Sequence, residues 1–119
     1  SFDLDFKTPD IKDIEMFIKK HPDVDGIFCS SDIISFYVIS VLKKLGYSIP
    51  DDVQVIGFDN IELAGVLLPK LTTIAQPIDA IGKESIRLLN TQIKKEPISE
   101  LHGILPVKLI ERDTTKRLN

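Results

Sequence analysis

The sequence of 119 residues contains no tryptophan and a single cysteine, Cys29. One cysteine cannot form a disulfide within the chain, and this fits a protein of a reducing compartment. No apolar run approaches the ~20 residues of a membrane-spanning helix, so we predict no membrane partner. Basic residues (15) are outnumbered by acidic ones (18), and the net charge of −3 argues against nucleic-acid binding by this chain itself.

The motifs of common enzyme families are missing as well. The chain has no G-x-S-x-G nucleophile elbow, no phosphate-binding Walker loop and no G-x-G-x-x-G dinucleotide motif. Its two histidines, His21 and His102, are far in sequence from each other and stand in no metal-binding spacing with Cys29. We therefore predict a protein that is not an enzyme, with no catalytic residue, no metal site and no cofactor.

The residues that are present predict an α/β fold. Hydrophobic residues make up 43% of the chain and charged residues 28%, which is typical of a globular domain. Alternating or β-branched runs predict strands at 2–6, 26–29, 53–56, 71–75 and 104–111. Apolar residues at helical spacing predict helices between them, at 11–18, 33–45 and 78–94. Strands that alternate with helices indicate a mostly parallel sheet flanked by helices in three layers.

The segment VQVIGFDN, residues 53–60, is the centre of this pattern. Its β-branched residues predict a buried strand over 53–56 that stops at Gly57 and places Asp59 just past its end. In open α/β sheets, ligands bind outside the carboxyl ends of the strands. Asp59 is therefore a candidate ligand-binding carboxylate, although an isolated acid in this position is more often a turn residue or a helix cap.

Two further loops follow predicted strands and would share the same edge. One contains Phe6 and the other contains Ser31 with Asp32. Together with Asp59 they offer a ring, hydroxyls and an acid, which suit a small molecule rich in hydroxyl groups. The alternatives are that Phe6 packs in the core and that Ser31 and Asp32 only cap the next helix.

The helix predicted over 33–45 has more apolar residues than one buried face requires. Residues Ile34, Val38 and Leu42 lie on the face that we expect to pack on the sheet. Phe36 and Ile39 fall on roughly the opposite side. This outward apolar patch indicates a surface for a partner, the alternative being a large ring that lies flat on its own domain.

Several segments, taken in order, resemble one known family. They are DGIFCSSD (25–32), KKLGYSIPDDVQVIGFDN (43–60), LPKLTTIAQP (68–77), IG (81–82) and LPVKLIERDTT (105–115). The set resembles the LacI/GalR family of bacterial transcription regulators over nearly the whole chain. The resemblance implies the C-terminal part of an effector-binding domain of the periplasmic-binding-protein type I fold.

The resemblance also implies how the chain is divided. Residues 1–76 and 103–113 would form an incomplete second subdomain, and residues 77–95 the helix that crosses to a first subdomain. The first subdomain and the N-terminal DNA-binding headpiece would be absent from the chain. We expect the face of this helix with Ile81, Ile86 and Leu89 to fold back on the chain or to be buried against another copy.

The function implied by the resemblance is control of transcription by a small-molecule effector, a sugar or a purine-like metabolite. The family's effector contacts carry over to Asp59, Phe6, Ser31, Asp32 and Gln76. Its dimer surface carries over to Ile33, Phe36, Ser40, Val66 and Leu67. The resemblance implies a cytoplasmic homodimer that binds operator DNA only through the missing headpiece.

Two other functions stay open on the sequence. The first is an extracytoplasmic sugar-binding protein of a transporter, which would share the fold. The second is a small α/β enzyme, which would need a nucleophile with a base. The combination of IPDDVQVIGFDN and LTTIAQP favours the regulator.

Overall fold

A computed structural model describes residues 10–93 and 106–117 of the chain. The helices are α1 (Ile11–Lys20), α2 (Asp32–Lys44) and α3 (Ile78–Ile93), and a 3-10 turn spans Glu62–Gly65. The strands are β1 (Gly26–Phe28), β2 (Gln54–Phe58), β3 (Thr72–Ala75) and β4 (Lys108–Ile110). The predicted strand at 2–6 lies outside the described residues.

The four strands form one sheet in the order β1-β2-β3-β4. Strands β1, β2 and β3 are parallel, with Ile27 opposite Val55 and Gly57 opposite Thr73, whereas β4 pairs antiparallel with β3. The predicted α/β fold with a mostly parallel sheet is confirmed. Pro106 precedes β4 at the edge of the sheet, where a residue without an N–H group is tolerated.

Strand β2 runs through Gly57, so the prediction that the strand stops there is wrong. Gly57 is buried at a point where α2 comes close to the sheet. A Cβ atom in this position would overlap the carboxylate of Asp32 and lie 2.8 Å from Leu71 Cδ2. The glycine therefore serves the contact between helix and strand, and it does not end the strand.

Helix α1 begins where Asp10 caps it. The Asp10 side chain accepts a hydrogen bond of 2.9 Å from the Lys12 N–H group, as an N-cap residue does. Ile14 and Ile18 of α1 are buried in the core. Helix α1 packs against α2, so the predicted apolar stripe of the first helix has its partner on a neighbouring helix.

Helix α2 is buried over more of its circumference than the sequence predicts. It packs against both α1 and β2. Val38, Val41 and Leu42 lie in the core, as expected, but Ile39 is only 6% exposed and belongs to the same cluster. Phe36 is half-buried against that cluster. The predicted outward patch is therefore wrong for Ile39, which lies one turn after Ser35 on the face of α2 that meets β2 at Gly57.

Helix α3 is exposed along the length for which side chains are described. None of residues 78–91 is buried, and Ile86 and Leu89 keep 61% and 57% of their surface. No element among the described residues covers its apolar face, so the expectation that this face folds back on the chain or is buried against another copy stays a prediction. No helix in residues 10–93 is both long and apolar enough to cross a membrane.

Candidate functional site

Three parallel strands end in polar residues at one edge of the sheet. Ser31 follows β1, Asp59 follows β2 directly and Gln76 follows β3 directly. Because β1, β2 and β3 are neighbours and parallel, their carboxyl ends lie side by side. This edge is where an open α/β sheet binds its ligand. Phe6, another predicted effector contact, lies outside the described residues.

Asp59 and Gln76 are directly linked. Gln76 Nε2 donates a hydrogen bond of 2.6 Å to Asp59 Oδ1, and the Asp59 N–H group donates to Ile74 O at 2.9 Å. The described residues donate no hydrogen bond to the second carboxylate oxygen, Oδ2, and Asp59 is half-buried. A carboxylate that is oriented by one oxygen and open at the other can accept from a ligand hydroxyl.

The backbone around Asp59 has an unusual conformation. Asp59 has φ 115° and Asn60 has φ 56°, both in the region that favours glycine. Such residues persist where surrounding contacts hold them, and they cluster at ligand sites. Here the Asn60 N–H group donates to Thr73 Oγ1 at 3.3 Å, and the Ile61 N–H group donates to Asp32 Oδ2 at 2.8 Å.

Ser31 has the capping role that the sequence offered as the alternative. Its Oγ accepts a hydrogen bond of 3.2 Å from the Ile34 N–H group, and it is the N-cap of α2. The residue is half-buried. Since a hydroxyl that accepts one hydrogen bond can still donate its own proton, capping and a ligand contact are compatible.

Asp32, a predicted effector contact, is fully buried in the structure. It has 0% exposed surface, and both carboxylate oxygens accept hydrogen bonds from the chain: Oδ1 from Thr73 Oγ1 at 2.6 Å and Oδ2 from the Ile61 N–H group. A buried carboxylate needs such partners, because burying it without them is costly. Its placement therefore does not support direct contact with an effector.

Arg112 is a residue that the sequence reasoning missed. Its guanidinium donates from Nη1 to Leu71 O and from Nη2 to Asn60 Oδ1, each at 2.9 Å. Its backbone N–H group donates to Thr72 Oγ1 at 2.8 Å. The one available signal was its place in LIERDTT, directly after the last predicted strand. Arg112 thus links the loop after β2 to the start of β3.

The predicted dimer residues lie on two neighbouring elements. Ile33, Val66 and Leu67 are 46%, 62% and 43% exposed, Ser40 is exposed and Phe36 is half-buried. Residues 33, 36, 40 and 43 form one stripe along α2, at helical spacing. Lys43 Nζ, at the end of the stripe, donates to Leu68 O at 3.2 Å, so the stripe runs up to the loop that carries Val66 and Leu67.

Cys29 has the properties of a core thiol. It is 4% exposed, and burial raises its pKa to about 11. The thiol is therefore protonated at neutral pH and a poor nucleophile. In the described parts of the chain, no three His, Cys, Asp or Glu residues are grouped so that they could hold a metal ion.

A comparison with protein families matches residues 5–115 to the periplasmic binding protein-like domain. The chain belongs to that family. It is 44% identical over 99 residues to the ribose operon repressor of Halalkalibacterium halodurans, a match over 83% of this chain and 30% of the repressor. The chain thus spans about a third of the length of this relative. The resemblance to LacI-type regulators that was drawn from the sequence segments is confirmed.

Solved structures of relatives carry the same fold. One is a periplasmic binding protein/LacI transcriptional regulator from Alkaliphilus metalliredigens complexed with D-xylulofuranose, with a TM-score of 0.73 and 43% identity over 92% of this chain and 40% of that chain. Another is a LacI family transcriptional regulator from Enterococcus faecium with bound ribose, with a TM-score of 0.70 and 35% identity over 92% of this chain and 41% of that one.

Proposed function

We propose that this chain is the C-terminal part of the effector-binding domain of a LacI-type transcription regulator whose effector is a sugar. Asp59 Oδ2 accepts hydrogen bonds from ligand hydroxyls, Ser31 donates its hydroxyl proton and Gln76 orients Asp59. Phe6, from the sequence resemblance, stacks on the sugar. In the intact regulator, effector binding shifts the equilibrium between states of different DNA affinity, which requires unequal affinity of the sugar for those states.

The observation that carries this proposal is the hydrogen bond from Gln76 Nε2 to Asp59 Oδ1 at the carboxyl edge of the sheet. This bond fixes the orientation of the Asp59 carboxylate and leaves Oδ2 as an acceptor for a ligand hydroxyl. The ribose and xylulose in the two solved relatives are rich in hydroxyl groups, the donors that such an acceptor fits. Both relatives also match this chain over nearly all of its length.

An NMR titration of the isotope-labelled chain with D-ribose and D-xylulose tests the proposal. The chain supplies one wall of a cleft, so we expect weak binding, with a Kd on the order of 1 mM or higher. Shifts should concentrate on Ser31, Asp59 and Gln76. Asp59→Asn removes a charge-assisted acceptor and should weaken binding by roughly tenfold or more.

Asp23→Asn is the matched control, because Asp23 is exposed and lies just before β1, at the opposite end of the sheet from the candidate site. It should bind sugar like the unmodified chain. Equal losses in both variants, or shifts centred away from the three loops, would refute the site. Micromolar binding by this chain alone would refute the picture of a single cleft wall.

The same proposal includes a homodimer formed through Ile33, Phe36, Ser40, Val66 and Leu67. Exposed apolar side chains on α2 and on the adjoining loop support it, because contiguous apolar surface of this kind marks contact sites. Light scattering after size exclusion should show a dimer that Val66→Asp converts to a monomer. Met16→Asp, at a similarly exposed apolar position on α1, should leave the dimer intact.

The intact regulator is proposed to be cytoplasmic, without enzymatic activity, and to bind operator DNA through a separate headpiece. The chain itself carries a net charge of −3, which disfavours phosphate contacts. A gel-shift assay with this chain should therefore show no operator binding. Retarded DNA at physiological salt would contradict this assignment.

A further inference from the structure

Asp32 is a buried carboxylate in an uncommon setting. It is the first residue of α2, with 0% exposed surface, and the described residues place no Lys or Arg in an ion pair with it. The N-terminal end of α2 favours a negative charge there. Its other support is a pair of hydrogen bonds, from Thr73 Oγ1 and from the Ile61 N–H group.

The direction of both hydrogen bonds follows from the chemistry of the groups: the Ile61 N–H group can only donate, so Oδ2 accepts. A carboxylate accepts and does not donate, so the Thr73 hydroxyl must donate its proton to Oδ1. A lone pair of the same hydroxyl then accepts from the Asn60 N–H group at 3.3 Å. Through these bonds Asp32 holds the two residues that follow Asp59, directly at Ile61 and by way of Thr73 at Asn60.

Asp32 also joins the three loops of the candidate site. Asp32 follows Ser31 directly in the chain, and its side chain is hydrogen-bonded to the loop after β2 through Ile61 and to β3 through Thr73, three residues before Gln76. Gly57 leaves the space that the carboxylate occupies above β2. One side chain thus connects the segments that follow β1 and β2 with Thr73 inside β3.

We propose that Asp32 is a positioning residue that holds Asp59 in its left-handed backbone conformation and sets the spacing of the loops with Ser31, Asp59 and Gln76. The consequence for effector binding rests on the proposed function. The effect on the Asp59 backbone does not, so the two can fail separately.

NMR of the 119-residue chain tests the backbone effect directly. The three-bond HN–Hα coupling of Asp59 is small at φ 115° and large in an extended backbone. In Asp32→Asn, one of the two acceptor oxygens is replaced by a donor, so the coupling of Asp59 should rise towards the extended value. Hydrogen exchange at the Ile61 N–H group should quicken by about tenfold or more.

The Val55 N–H group, which bonds to Thr114 O at 2.9 Å in the core, is the internal reference. A positioning role predicts faster exchange at Ile61 with little change at Val55. A merely structural role would quicken both together, and that outcome would overturn the proposal. An unchanged Asp59 coupling in a folded Asp32→Asn chain would overturn it as well.

Thr73 supplies a second pair of variants if Asp32→Asn does not fold. Thr73→Val removes the hydroxyl at nearly constant volume and should reproduce the rise in the Asp59 coupling. Thr73→Ser keeps the hydroxyl and should restore the coupling of the unmodified chain. If Thr73→Val leaves the coupling unchanged, the proposal is wrong.

A D-ribose titration of the same chains separates the two ideas. If the proposed function holds, ribose shifts Asp59 in the unmodified chain, and Thr73→Val weakens that binding by about tenfold. If ribose does not shift Asp59 at all, the proposed sugar site fails, while the Asp59 coupling still decides the role of Asp32.

Discussion

Helices α2 and α3 are both rich in apolar residues, and the fold treats them in opposite ways. Val38, Val41 and Leu42 of α2 are 6% exposed or less, whereas Ile78, Ile86 and Leu89 of α3 are at least 57% exposed. The difference lies in their neighbours. Helix α2 packs on α1 and β2, but α3 has no element of the described chain over its apolar face.

This contrast shows what an apolar stripe does and does not predict. The spacing of apolar residues indicates that a helix face has to be covered, because water disfavours exposed apolar surface. It does not indicate which element covers the face. In α2 the cover comes from within the chain on two sides, and in α3 no element of residues 10–93 and 106–117 supplies it.

The largest expected effect is the loss of stability when a leucine is shortened to alanine, and it should differ between the two helices. Leu42→Ala in α2 removes a side chain with 0% exposure and should lower the free energy of unfolding by about 2–5 kcal/mol. Leu89→Ala in α3 should change it by less than ~0.5 kcal/mol, as exposed positions do. Urea unfolding followed by circular dichroism measures both. A large loss for Leu89→Ala that grows with protein concentration would instead reveal a second copy over α3.

Glycine substitutions should have opposite signs in the two regions. Gly57→Ala brings a methyl group into the space of the Asp32 carboxylate below α2, and should destabilise the fold by about 1–3 kcal/mol. At Gly82 in α3 an added Cβ meets nothing within 4 Å, so Gly82→Ala should stabilise the helix by about 0.5–1 kcal/mol. The same urea titrations apply. Destabilisation by Gly82→Ala would mean that α3 is closely covered after all.

The serines of the two helices provide a smaller test. Ser31 caps α2, so Ser31→Ala should cost about 1 kcal/mol of stability. Ser85 of α3 only donates to the Ile81 carbonyl at 2.8 Å, within its own helix, and Ser85→Ala should stay within about 0.5 kcal/mol of the unmodified chain. Thermal unfolding of the two variants gives the comparison. Equal losses would show that Ser31 does not act as a cap in solution.

The smallest effect concerns Glu15, which links α1 to α2. Hydrogen bonds from two lysines lower the pKa of its carboxyl from the ordinary value of 4.5, with Lys19 contributing most and Lys44 next. Because the folded pKa is the lower one, the stabilisation is present above pH 4.5 and is lost as the pH falls through the folded pKa. Glu15→Gln should therefore be slightly less stable than the unmodified chain at pH 7 and equal to it at low pH.

Salt provides the control for Glu15. The Glu15–Lys44 pair joins two helices, while the Glu84–Arg87 pair lies within α3. Added salt should narrow the difference between Glu15→Gln and the unmodified chain, since exposed ion pairs are screened. The pair within α3 is screened in the same way, so added salt should also narrow any difference between Glu84→Gln and the unmodified chain. A difference for Glu15→Gln that persists in 1 M salt would indicate packing and not charge.

Candidate site residues could be predicted from the sequence where a short segment alone carries the signal. A β-branched run that ends in Asp59, a serine before an apolar helix and a glutamine before a proline are local signals. The structure puts all of them at one edge of the sheet. Ser31 caps α2, which is one of the two roles that the sequence suggested for it. Parallel strands connected by helices bring such loops together for topological reasons alone.

The sequence by itself determined the α/β order of elements, the family and the edge at which Asp59 lies, because periodicity, turn residues and motifs are read within short segments. Tertiary structure alone decided that Asp32 and Ile39 are buried, that Gly57 lies inside its strand and that Arg112 supports the loop. Those features depend on partners distant in sequence: Asp32 meets Ile61 and Thr73 across 29 and 41 residues, and Arg112 meets Asn60 across 52. Contacts over such separations are formed only when the sheet and α2 have packed, and no local pattern encodes them.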